Sequence, residues 1–194
     1  MQPNRIYFAG NPWPEGHPVK EFQWSARLIN GEVWFDLHLK SADYCSERGI
    51  DSSMGDADAE GVEYASDWEA PIVWENYHAC TLSSTYWQSR GFKACSRQEY
   101  CPEFFDGREF SVDPAPEQAE DWDDLAFHIY LLGHDSAAKH RIKFEKAAGT
   151  GLFNIRWTGK IAPAYTDNYE YTHDFSVYLE NVEFPALADA GCQD

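Results

Sequence analysis

A two-residue period that recurs in five segments constrains this chain more than any other feature. In Val33-Trp34-Phe35-Asp36-Leu37-His38-Leu39-Lys40 every odd position is apolar, and Trp34, Asp36, His38 and Lys40 fall between them. Successive side chains of an extended strand point to opposite faces, so such a run buries one face and leaves the other to water or a ligand. The segments 127–131, 141–145, 153–158 and 175–180 repeat the pattern. Weaker strand signals cover 6–9, 21–28, 71–82, 107–112 and 169–173.

Turn chemistry separates the runs. Asn30-Gly31 follows Leu28-Ile29 and precedes the Val33 run. This dipeptide accepts positive φ at both positions, which is what a two-residue hairpin requires. Ala148-Gly149-Thr150-Gly151 predicts a second hairpin between the runs at 141–145 and 153–158. Sequential strands joined by tight turns predict an all-β fold, an antiparallel β-sandwich of jelly-roll-like architecture. A closed barrel is the alternative. Long loops are expected over 41–69 and 88–105, with at most a short helix in 113–122. The 194 residues suit a single domain spanning 1–194, which at this size buries about 70% of its unfolded surface without needing a disulfide or metal.

Charge narrows the partners. The net charge is −18, from 33 acidic and 15 basic residues. A nucleic-acid backbone and an anionic membrane surface both need clustered cations, so neither is an expected partner. A basic protein or a cation fits better. No charged and then apolar leader opens the sequence, and no apolar run approaches the roughly 20 residues that span a bilayer. Five cysteines without tight pairing point to free thiols and a cytoplasmic setting.

Candidate sites follow from the faces and the loops. If the strands are neighbours, Trp34, Asp36, His38, His128, Tyr130 and Arg156 share an outward face of aromatic and planar hydrogen-bonding groups, suited to a carbohydrate-like ligand. The loop Asp56-Ala57-Asp58-Ala59-Glu60-Gly61 spaces carboxylates at alternate positions before a glycine, as a Ca²⁺ loop does. Glu60 stands where Asp or Asn is usual, and Glu63 where an apolar residue is usual. His128, His134 and His140, with Asp135, offer ligands for a divalent transition metal, although no compact His-x-His pair is present. His78, Cys80, Cys95 and Cys101 are zinc-type ligands without zinc-type spacing. Ser83-Ser84-Thr85 is a hydroxyl cluster with no assignable base, and no nucleophile elbow or phosphate loop occurs. Asn11-Pro12-Trp13-Pro14-Glu15-Gly16-His17-Pro18 reads as a rigid segment pinned by Trp13. The leading expectation is a binding module for a carbohydrate-like ligand or a basic protein. The alternatives are a metal-dependent enzyme on a jelly-roll scaffold and a calcium-stabilised domain.

Overall fold

The computed structural model describes residues 1–47, 63–87 and 89–188. Its strands are β1 (Arg5–Phe8), β2 (His17–Ile29), β3 (Glu32–Ser41), β4 (Thr81–Ser83), β5 (Phe92–Ser96), β6 (Glu109–Val112), β7 (His128–Tyr130), β8 (His134–Lys146), β9 (Phe153–Ala162), β10 (His173–Val182) and β11 (Leu187–Ala188). Two short helices, α1 (Pro71–Glu75) and α2 (Pro102–Phe105), each start on a proline, whose missing N–H costs nothing in a first turn.

The expected hairpins form. Ile29 pairs with Glu32 across Asn30 and Gly31, whose φ values are 51° and 83°. Both central residues are therefore left-handed, matching the twist of the strands they join. Lys146 pairs with Phe153 across the second turn. The all-β expectation holds, and the sheet itself corrects the sandwich and jelly-roll reading. The ladder runs β2-β1-β10-β9-β8-β7-β4-β3 and returns to β2 through the β2–β3 pairing, closing an eight-stranded barrel. All of these pairings are antiparallel. Alternation fixes which face is buried, and it does so equally in a sandwich and in a barrel. Closure depends on bulges, which bend strands. One lies between Val19 and Glu21, where β2 swings from β1 to β3, and another between Ala138 and Arg141. Strands β5 and β6 lie outside the ring on β3 and β8, and β11 runs parallel to β2.

The apolar set points inward as the alternation requires. Val33, Phe35, Leu37 and Leu39 are fully buried, as are Phe153, Ile155 and Trp157. Eight strands leave an interior just wide enough for side chains, and here large ones fill it. Trp24 stacks on Phe144 at 4.7 Å, and Trp157 lies 4.8 Å from Phe127. Each such burial contributes on the order of 1.5–3 kcal/mol. Trp74 of α1 closes one end with Trp68 and His17, and Phe105 of α2 closes the other beside Phe35. The interior is thus a packed core rather than a ligand cavity.

Outside the ring the strands carry Glu21, Gln23, Lys40, Arg156 and Lys160. Among the described residues no helix is long and apolar enough to cross a bilayer.

The strand signal misleads in three places. Segment 71–82 is mostly α1 and loop before β4, and 169–173 is irregular up to the start of β10. Strand β5 lies inside the expected 88–105 loop. The expected helix in 113–122 is reduced to single turns at Pro116–Gln118 and Trp122–Asp124.

Candidate functional site

Cross-strand register assembles the site. Gln23 of β2 lies opposite His38 of β3, His38 opposite Ser83 of β4, Ser83 opposite His128 of β7, and His128 opposite Ser136 of β8. The next row runs Glu21, Lys40, Thr81, Tyr130 and His134. Residues directly opposite on one face sit close enough to act together. The structure therefore brings His38, His128 and Tyr130 onto one wall, as the outward-face reading expects.

The loop after β4 completes that wall, and Ser83 shapes the loop. Its Oγ accepts from the backbone N–H groups of Thr85 at 3.1 Å and Tyr86 at 3.0 Å, a local turn that a hydroxyl commonly holds. The same oxygen lies 2.9 Å from His38 Nδ1 and 3.2 Å from Thr85 Oγ1. The other ring nitrogen, Nε2, has no protein partner among the described residues. Burial pushes the His38 pKa down, and that of His128 likewise, so both rings favour the neutral form. This Ser–His pair is no nucleophile: Ser83 is fully buried and its oxygen is already occupied.

The same turn projects two aromatic rings. Tyr86 lies 6.3 Å from His38 with the planes only 24° apart, and Trp87 lies 6.1 Å from His128. Tyr86 is 69% exposed. A groove of about 530 Å³ runs beside it, floored by Glu21, Gln23, His38, Lys40 and Thr81. No ion pair or hydrogen bond to the protein engages the side chains of Glu21, Gln23, Lys40 or Thr81 among the described residues. The loop is anchored at both ends. Ser84 Oγ donates to Asp36 Oδ1 at 2.9 Å, and Arg27 grips the same carboxylate. Gly91, at φ +65°, approaches β3 so closely that a Cβ would stand 2.1 Å from the Phe35 carbonyl oxygen.

Three expected ligand-binding residues lie elsewhere or act otherwise. Asp36 faces outward but is 2% exposed, consumed by Arg27 and Ser84. Trp34 is half-buried opposite Arg27 and Lys93. Arg156 is on the far wall of the barrel, its guanidinium 4.5 Å from the Tyr178 ring centroid and 3.5 Å from Glu145.

The metal readings gain no support. Among the described residues no group of three His, Cys, Asp or Glu side chains comes together. His134 and His140 share parity, yet the bulge at Lys139 (φ 54°) turns His140 into the interior, where it is fully buried beside Trp157. His128 and His134 stay outside. Cys80, just before β4, and Cys95 of β5 are buried apart, and Cys101 is exposed. Asp56, Asp58 and Glu60 lie outside the described residues.

The sequence reading singles out Ser83 only within a hydroxyl cluster, and it does not mark Glu21, Gln23 or Tyr86. Glu21 and Gln23 were within reach. A two-residue turn at Asn30-Gly31 pairs residues equidistant from it, which sets Gln23 against His38 and Glu21 against Lys40. Nothing local marks Tyr86, because its place depends on β4 pairing with β3 across a long separation.

Comparison with protein-family models, with curated proteins and with solved structures finds no match.

Proposed function

We propose that the protein is a binding module for a flat, polyhydroxylated ligand of the carbohydrate class, held in the groove between Tyr86 and the β2–β3–β4 wall. The observation that carries this reading is an exposed aromatic platform beside unengaged polar groups of complementary kinds. Tyr86 offers a ring face on which a sugar's C–H face can lie. Gln23 both donates and accepts, Glu21 accepts, Lys40 donates, and His38 presents a ring nitrogen. Vicinal hydroxyls need donors and acceptors together, and this groove supplies both. Its floor is rigid because its residues stand on paired strands, and its platform is held by Ser83, Ser84 and Gly91. The neutral rings favoured by burial at His38 and His128 suit an uncharged ligand.

The test is calorimetric titration with a panel of neutral oligosaccharides of α- and β-linked hexoses and pentoses. At least one binds, and Tyr86→Ala weakens it about tenfold while leaving the melting temperature unchanged. Tyr86 is exposed, so its removal leaves the fold intact. A panel without binders, or equal binding by Tyr86→Ala, overturns the reading.

A further inference from the structure

A second and more enclosed pocket lies at the Trp74 end of the barrel. It measures about 260 Å³ and is formed where the segment leading into β2 meets the chain after β3. Rings make up much of its lining: Pro12, Trp13, Pro14, His17 and Tyr44, with Trp13, His17 and Tyr44 packed against one another. Trp13 lies 5.5 Å from His17 and 6.4 Å from Tyr44, and His17 lies 4.7 Å from Tyr44.

The pocket is built rather than incidental. Arg5 donates to the Glu15 carbonyl at 2.8 Å and the Gly16 carbonyl at 2.7 Å, and it clasps the Glu47 carboxylate with two nitrogens. Gly16 has φ +68°, and a Cβ there would stand 2.6 Å from the Ile6 carbonyl oxygen, so only glycine makes this turn. Tyr44 is fixed by its hydroxyl, which donates to the Leu131 carbonyl at 3.2 Å. Asn11 orients the histidine. Its Oδ1 accepts from the Trp13 backbone N–H, so its Nδ2 donates to His17 Nε2, both at 3.2 Å. A ring that accepts at Nε2 is neutral. Burial and the Arg5 charge agree, pushing the His17 pKa down to about 4.

The electrostatics of the pocket lean one way. Arg5 is matched by Glu47, and His17 adds no charge. Glu15 lines the mouth, exposed and in no ion pair among the described residues, and Asp43 lies near enough to act on His17. The whole protein carries −18. π-faces, proline rings and an excess of carboxylate are what an ammonium carrying apolar substituents requires. The methyl groups lie against the rings while the charge is drawn to the π-clouds and the carboxylates.

We propose that this pocket binds a small alkylated ammonium group, of the choline or methylated-amine class, with Trp13 as its principal wall. The site stands independently of the groove. Choline and its uncharged isostere 3,3-dimethylbutan-1-ol are titrated into the full chain by calorimetry, with ligand-observed NMR as a second readout. Choline binds about tenfold more tightly than the isostere. Trp13→Leu loses about tenfold in choline affinity, Trp13→Phe retains most of it, and Glu15→Gln, a change of charge at an exposed site, weakens it about two- to threefold. Equal affinity for choline and the isostere would reduce the site to an apolar hole. That result, or no choline binding by the parent protein, or full binding by a folded Trp13→Leu, overturns the proposal.

Discussion

The two outer walls of the barrel come from the same kind of sequence and end in different states. On the β8–β9–β10 wall the charges engage one another: Lys143 with Glu145, Arg156 with Glu145 and Tyr178, and Lys160 with Asp174, while Arg141 meets Glu109 of β6. On the β2–β3–β4 wall Glu21 stands opposite Lys40 in register, yet no ion pair joins them, and Gln23 and Thr81 are equally unengaged among the described residues. Alternation puts polar side chains on both walls. Cross-strand pairing decides which side chains are engaged: on the β2–β3–β4 wall Arg27 meets Asp36 and Lys93 meets Glu32, and the unengaged set is confined to Glu21, Gln23, Lys40 and Thr81 among the described residues. Arg156 shows the consequence, since its pattern matches that of His38 but its partners are already taken.

The two walls share one interior, so interior changes should strike both alike, and these have the largest effects. Trp157→Ala removes a fully buried ring from the middle of the core and should cost about 3–5 kcal/mol in urea unfolding. Backbone amide exchange should then accelerate on both walls. Acceleration on one wall alone would mean that they are separate cooperative units.

Acid should act through the same interior. His140 is fully buried, and desolvation lowers its pKa from 6.5 to about 3. The folded state thus favours the neutral ring. Its contribution is present above about pH 6.5 and is lost progressively as pH falls toward 3. In His140→Asn this term is absent, so the stability gap between parent and variant should narrow over that interval. A gap independent of pH would show that the ring does not titrate with unfolding.

Outer-wall substitutions should then separate the two faces. Gln23→Ala, which removes a groove donor and acceptor, should weaken oligosaccharide binding about fivefold with the urea midpoint unmoved. The smallest effect is expected at Arg156→Ala. Its side chain is 58% exposed, so its loss should cost under about 1 kcal/mol. Oligosaccharide affinity should not change. A substantial loss of affinity there would erase the distinction between the walls.

Much of the fold is legible in local pattern, because alternation and turn residues are local physics. The inward set Val33, Phe35, Leu37 and Leu39, the hairpin at Asn30-Gly31 and the outward placement of His38, His128 and Tyr130 all follow from spacing. Closure does not, because the strand order that makes a ring rests on β4 and β7, three residues each, pairing across long separations. Asp36 and His140 mislead for different reasons. A buried Arg27–Ser84 network claims the first, and a one-residue bulge turns the second inward. The first leaves no mark on the periodicity of its neighbours, whereas His140 is in phase with the inward Ile142 and Phe144. The β4 loop that supplies Tyr86 and Trp87 reads in sequence as a hydroxyl cluster followed by aromatics. Its role emerges only when Ser83 meets His38.

The most direct test of the central claim is an amide ¹H–¹⁵N titration of the parent protein with the tightest-binding oligosaccharide of the panel. Shifts should concentrate at Gln23, His38, Thr81 and Tyr86, with the amides around Arg156 and Tyr178 unmoved. Shifts centred on the Arg156–Tyr178 wall would contradict it.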